Sequence, residues 1–329
     1  MTTLVTGATG LLGNNLVRLL LERGERVRAL VRKHSDPRPL ASLNVDVVQG
    51  DVCDSSTVDS AVRGVDCVMH SAGFVQIGWS NSDVHQSVNV GGSLNVARAA
   101  QRAGIRMLHV SSVDALGNAD GREVADENTP PGGKVPMPYV ITKREAEAKL
   151  LQVIAEGLDA VIVHPTFMLG PWDWKPSSGR MLLAVGTQVT PYCPRGGSCV
   201  ADARDVAAGA LAALDRGQAG RRYILGGLNI DYASFWRRMA RFTGGGGVLH
   251  TMWPPHEWVA GFCGDLLTRI RGREGEVNSA SIRASRQFQY YSSSRAIAEL
   301  GYQIRPLDET IQDAWYWFVE HGYVRKHKT

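Results

Sequence analysis

The chain has 329 residues, 44% hydrophobic and 21% charged, with a formal net charge of +4. Those proportions suit a globular protein with one large α/β domain and a smaller second lobe. They exclude a nucleic-acid arm, the one basic cluster being the tail Arg325-Lys326-His327-Lys328, read as solvated, and a membrane span, which needs ~20 apolar residues in a run.

Met1 leads straight into the first strand, so no signal peptide is expected. Cys53, Cys67, Cys193, Cys199 and Cys263 are odd in number and form no CxxC pair. Neither a disulfide framework nor a metal site is expected, and a cytoplasmic location is the default. The stretch MTTLVTGATGLLG is a short apolar strand, a glycine turn and the start of the helical pattern NNLVRLLLERG. That order is the context of a dinucleotide-binding fingerprint. Gly7 turns the chain, Gly10 leaves room for a pyrophosphate, and Gly13 lets helix and strand lie close. Thr9, Leu11 and Leu12 complete the turn, and the helix N-terminus offers free N–H groups to phosphate.

Residues 26–32 read as a second strand. Arg32 and Lys33 stand where an acidic residue would hold a ribose 2′-hydroxyl and an arginine suits a 2′-phosphate. NADP(H) is therefore preferred, with NAD(H) possible through Asp36. A third strand ends at Asp51 and Val52. Asp51 is a candidate for the adenine amino group or, alternatively, a helix N-cap. The strand Val65–His70 ends in Ser71, Ala72 and Gly73, small enough to admit a ligand, and His70 reads as a packed histidine. In the following loop Phe74, Gln76 and Trp79 are candidate substrate contacts or packing residues. A helix through Asn89 and a strand ending at Ser111-Ser112 continue the strand–helix alternation of a parallel, doubly wound sheet.

Residues 117–138 read as a long loop, followed by a helix from near Tyr139 and a strand ending at Pro165. Thereafter the composition shifts. Residues 166–200 and 228–329 are assigned to a second lobe, with 201–227 returning to the sheet domain of residues 1–165. Gly244–Gly247 is a flexible break. Residues 258–270 read as a packed lobe helix, with Asp265 and Arg269 at i, i+4, in preference to an interfacial one.

Ser112, Tyr139 and Lys143 are the sharpest constellation. Tyr139 and Lys143 stand one helical turn apart, and an ammonium beside a phenol lowers its pKa. Ser112 can hold a substrate oxygen while Tyr139 exchanges its proton.

TGATGLLG, Asp51, Asn89, SSVDALG, Tyr139-xxx-Lys143 and HPTFMLGP together resemble the extended short-chain dehydrogenase/reductase family over nearly the whole chain. LVRKHSD, YVITKREAE, LGPWDWKPSSGR and RDVAAGALAALDRGQAGRRYILGG resemble its branch of dihydroflavonol 4-reductase-like, 3β-hydroxysteroid dehydrogenase-like and hopanoid-associated epimerase-like proteins. The resemblance implies an α/β Rossmann fold with a smaller, discontinuous C-terminal substrate lobe. It implies catalysis by Ser112, Tyr139 and Lys143, support from Asn89, and Pro165 and Thr166 flanking the nicotinamide. It also implies a homodimer through the helices near 85–102 and 139–156. His164 departs from the usual arginine, and Leu116 from the tyrosine of sugar-modifying members.

The expected activity is NAD(P)H-dependent reduction of a ketone or aldehyde, or oxidation of the alcohol. Asp114, Met137, Phe167, Met168, Trp172 and Trp174 join the candidate substrate residues, their aromatics alternatively serving as packing between lobes. One alternative is a nucleotide-sugar epimerase or dehydratase with tightly bound NAD, its diphosphate clamped by Arg180, Arg195 or Arg204; the acid pair expected of a dehydratase is absent from Val113-Asp114. The other is a non-catalytic NADP(H)-binding regulator.

Overall fold

Strand and helix alternate through the first half of this computed structural model, which describes residues 1–188, 192–245 and 250–324. Gly246 and Gly247 of the expected break, and the tail Arg325–Lys328, lie outside the described residues. The order begins β1 (Thr2–Thr6), α1 (Leu11–Glu22), β2 (Arg26–Val31), β3 (Asp46–Gln49), α2 (Ser55–Val62) and β4 (Cys67–His70). Next come α3 (Ser82–His85), a π-helical stretch (Gln86–Gly92), α4 (Ser93–Ala103), β5 (Arg106–Val110), α5 (Pro138–Ala155) and β6 (Ala160–Pro165). β7 (Phe167–Leu169), α6 (Gly179–Thr187), β8 (Tyr192–Cys193), β9 (Gly197–Asp202), α7 (Ala203–Arg216) and β10 (Arg222–Leu225) follow. The chain ends with β11 (Leu228–Asp231), α8 (Tyr232–Thr243), β12 (His250–Thr251), α9 (Pro254–Arg271), α10 (Ser279–Ser285), β13 (Phe288–Gln289), α11 (Ser294–Leu300) and α12 (Leu307–Glu320).

The central sheet runs β10-β6-β5-β4-β1-β2-β3, and every pairing in it is parallel. Leu4, Val5, Val68, Met69, Leu108 and Ile162 are fully buried, as expected of parallel strands covered on both faces. The order reverses between β1 and β4, and such a switch point opens a crevice at the strands' carboxyl ends. Alanine-rich α7 packs on α1.

The second lobe centres on β7, β9, β11 and β13. α6, α8 and α12 enclose an apolar core that includes Leu182, Phe235, Met239, Ile311 and Phe318. One boundary differs from expectation. α11, assigned to the second lobe, packs on α7 and β10, because Ala296 and Leu300 join the core of Leu211, Leu214 and Tyr223. α9 differs too: Asp265 accepts a hydrogen bond from the Ser279 backbone N–H at 2.9 Å, and much of the helix's apolar surface is exposed.

His70 is a packed histidine. Its Nδ1 lies 2.7 Å from Thr6 Oγ1, its Nε2 lies 3.1 Å from Ser93 Oγ, and its ring stacks on that of buried His109. Burial, with Lys143 adding repulsion, lowers His70 to about 3, and burial lowers His109 likewise. Below pH ~6.5 the unfolded chain takes up these protons while the native state does not. Stability is therefore expected to fall as pH drops from 6.5 toward 5, by up to ~1.4 kcal/mol per pH unit per histidine. Urea unfolding across that range measures the slope; a flat profile contradicts neutral burial of the pair.

Candidate active site

Gly7 ends β1 with φ 71°, and a Cβ there would lie 2.7 Å from the Ala72 nitrogen. The turns after β1 and β4 thus touch through bare backbone. A Cβ on Gly13 would fall 2.1 Å from the Gly7 carbonyl oxygen, whereas one on Gly10 meets nothing nearer than that oxygen at 3.4 Å. Gly10 caps α1 without a side-chain hydrogen bond. The first-turn N–H groups therefore lack a side-chain acceptor, and Gly10 leaves room for one. Both features fit a pyrophosphate. Thr9, Leu11 and Leu12 belong to the same turn, while Ser71, Ala72 and Gly73 follow β4.

Further along the crevice, a cleft of about 630 Å³ is lined by Arg32, Lys33, His34, Ser35, Gln49, Gly50 and Asp51. Asp51, its one acidic lining residue, accepts a hydrogen bond from the Cys53 N–H at 2.9 Å. Asp51 is not the cap of α2; Asp54 is, accepting from the Ser56 N–H. Val52 is buried, and its carbonyl accepts from Asn95. The Asp36 carboxylate is gripped by the Arg38 guanidinium, at 2.9 Å from Nε and 2.6 Å from Nη2.

The catalytic candidates come from two elements. Ser112 follows β5, and Tyr139 and Lys143 occupy the buried face of α5, which continues through Glu147 and Leu150. Pro138 in the first turn of α5 supplies a φ preset for helix, so Tyr139 is held from the start. The Glu147 carboxylate accepts from Ser111 Oγ at 2.8 Å and meets His164 Nε2 at 2.6 Å; Arg222 lies 3.5 Å away. Burial alone would raise the Glu147 pKa, but His164, Ser111 and Arg222 together hold it at about 2. The unusual His164 thereby locks α5 to β5 and β6.

Lys143 Nζ donates to the Val110 carbonyl at 3.2 Å, and a Cβ on Gly73 would lie 3.6 Å from it. Burial lowers the Lys143 ammonium to about 8, against the pull of Glu147 and Asp114. The expectation that an ammonium lowers the Tyr139 pKa is corrected. Burial pushes the phenol above its usual range, the Asp114 carboxylate pushes the same way, and only the adjacent Ser112 hydroxyl opposes them. Burial thus favours the neutral form of the Tyr139 phenol.

Asp114 lies at the heart of this group. Ser112 Oγ donates to it at 3.3 Å and accepts from its N–H at 3.1 Å. Its carboxylate pairs with buried Lys134 at 2.8 Å. Asn89 acts through the backbone: its side chain accepts from the Phe74 N–H at 2.8 Å and donates to the Phe74 carbonyl and to Thr142. It therefore positions the loop after β4 against α5. His85, which sequence reasoning missed, packs edge-on to Phe74 and 6.0 Å from the Tyr139 ring.

Met137 is buried with Tyr139, and Ile77 packs there. Trp79 is fastened to the α10 region through Nε1–H to Ser279 Oγ at 2.8 Å. Pro165 ends β6, and Thr166 follows it. The other expected substrate contacts have packing partners of their own. Gln76 accepts from Asn81 in an exposed loop. Phe167 packs edge-on to Phe235, and Met168 packs against the sheet-domain core. Trp172 and Trp174 pack with Trp317 and His321, and the Arg18 guanidinium covers Trp172 at 3.3 Å. Trp317 of α12 and His321 just after it pack around these two tryptophans, and neither belongs to the trio.

Residues 3–226 match the NAD dependent epimerase/dehydratase family. The chain is 36% identical to a putative dihydroflavonol 4-reductase of Synechocystis sp., over 98% of this chain and 95% of that one. It is 34% identical to sterol demethylase protein B of Methylococcus capsulatus, over 98% and 100%. The crystal structure of gox2253 superposes with a TM-score of 0.87 at 34% identity, covering 98% and 99% of the two chains.

Proposed function

Since this chain belongs to the NAD dependent epimerase/dehydratase family, and is an NAD(P)-dependent enzyme of the extended short-chain dehydrogenase/reductase type, we propose that it reduces the carbonyl group of an apolar small molecule with NADPH as preferred cofactor. The observation that carries this reading is a buried group: Tyr139 and Lys143 stand one turn apart on the buried face of α5, with the Ser112 hydroxyl beside the Tyr139 phenol. A nicotinamide cofactor bound in the crevice would supply the hydride. As charge grows on the substrate oxygen, the Ser112 hydroxyl steadies it and the Tyr139 proton passes to it. Lys143, beside Gly73, would hold the nicotinamide ribose. The names of the two relatives, a dihydroflavonol reductase and a sterol demethylase protein, support a polycyclic, weakly polar substrate. Met137 and Phe74 offer apolar surface beside Tyr139.

Preference for NADPH rests on Arg32 and Lys33 lining the cleft while Asp36 is spent on Arg38. Replacing Arg32 with Ala is expected to weaken NADPH by roughly 10- to 100-fold, the worth of a charge-assisted phosphate contact, and NADH by less than about threefold. Fluorescence titration of both cofactors measures this, and equal weakening removes Arg32 from the phosphate site. Turnover of aromatic ketones and aldehydes with NADPH tests the reaction itself. Tightly held NAD released on denaturation, with no such turnover, points instead to the epimerase chemistry of the family. A homodimer through α4 and α5 is the assembly we favour, half-exposed Ile141 on α5 being one apolar contact available to it. The five free cysteines suit a reducing cytoplasm, and among the described residues no helix is long and apolar enough to cross a membrane.

A further inference from the structure

α9 is amphipathic in the inverse sense. Its buried residues are Glu257, Gly261 and Gly264. The glycines admit the start of α10: a Cβ on Gly264 would fall 1.9 Å from the Val277 carbonyl oxygen, and one on Gly261 3.1 Å from Ser279 Cα. The outer side carries Trp258, Phe262, Leu266 and Ile270, 71%, 57%, 47% and 72% exposed. Their spacing of four makes one continuous stripe. The Trp258 and Phe262 rings stack at 5.8 Å, and exposed Trp253 stands at the head of the helix.

The charge left without a partner beside this stripe is basic. Arg269, Arg271 and Arg273 are exposed. Each nearby acid has a partner or is buried: Asp265 accepts from the Ser279 N–H, Glu274 accepts from the Trp79 and Ser80 N–H groups, Glu276 pairs with Arg180, and Glu257 is buried. We propose that α9 docks on an anionic lipid bilayer, its stripe entering the acyl boundary and its arginines meeting lipid phosphates. Tryptophan and arginine flanking an apolar face suit that boundary. Self-pairing of α9 fits poorly. Parallel copies would bring arginines together, and antiparallel copies would set them against an end whose Glu257 is buried.

Docking would also orient the active site. Asn278 donates to the Ile77 carbonyl and Trp79 to Ser279, and Ala284 of α10 packs against the group containing Met137 and Tyr139. The unit that meets lipid therefore forms part of the rim through which an apolar substrate would enter. Docking itself does not depend on the reaction assigned to Tyr139.

The test is flotation of the full chain with phosphatidylcholine vesicles containing about 30% phosphatidylglycerol. Wild type is expected to float with them, with a blue shift of tryptophan emission. Phe262→Asp combined with Ile270→Asp should lower the bound fraction about tenfold without changing NADPH affinity. Arg269→Gln with Arg271→Gln, both at exposed positions, should also weaken binding while leaving the fold intact. Failure of wild type to float, or flotation unchanged by both double variants, overturns the proposal. So does a dimer that Phe262→Asp splits, coupled with no affinity for lipid.

Discussion

Tyr139→Phe is expected to lower turnover by about a thousandfold or more, the upper part of the range for losing a general acid. Cofactor affinity should stay within about threefold of wild type. Phenylalanine keeps the ring that packs with Met137 and Val140. Ser112 retains Asp114 as a hydrogen-bond partner, so no buried hydroxyl is stranded. What disappears is the one proton held neutral beside the reacting oxygen. Steady-state rates set beside a fluorescence titration separate the two effects. Turnover within tenfold of wild type would end the case for Tyr139 as proton donor.

Gly13→Ala should damage the fold and the cofactor seat together. Its Cβ would meet the Gly7 oxygen at 2.1 Å, the Gly7 carbon at 2.6 Å and Ala8 Cα at 3.0 Å, all backbone atoms. None can rotate away, so α1 must lift from β1 and carry its N–H groups out of line. Overpacking of this kind costs ~1–3 kcal/mol, and an affinity loss of about 100-fold is expected from the displaced helix terminus. Gly10→Ala is the contrasting control: its Cβ has room at 3.4 Å, so Tm should hold while pyrophosphate binding falls. Thermal melts and NADPH titrations on both variants decide the matter. Normal affinity in Gly13→Ala would show that the turn can relax without cost.

The glycine turn, the parallel strands and the shared helix face of Tyr139 and Lys143 were legible because each rests on local spacing: a triplet between strand and helix, apolar runs, and i, i+4 on one helix. The rest depended on distant partners. Lys134 sits in an aperiodic loop, and nothing nearby announces that it is buried against Asp114. Asn89 was named only through the resemblance, and its partners were not legible, since it lies in a π-helical stretch, a local rewinding without a period of its own in sequence. Trp172 and Trp174 read as pocket walls until α12 supplies Trp317 and His321. The electrostatics of Tyr139 turned on burial, which spacing does not encode. α9 offered an apolar helix but not the direction its stripe faces.

The Glu147 junction has one more consequence. Because a single carboxylate clasps the residue before Ser112 and the residue before Pro165, the reacting geometry is gauged by a joint inside the scaffold. The outer lobe can then be redrawn by mutation, exchanging one guest molecule for another, while the distance between the two hydroxyls is carried over intact. Selectivity and rate become separable properties, inherited from different parts of the same chain.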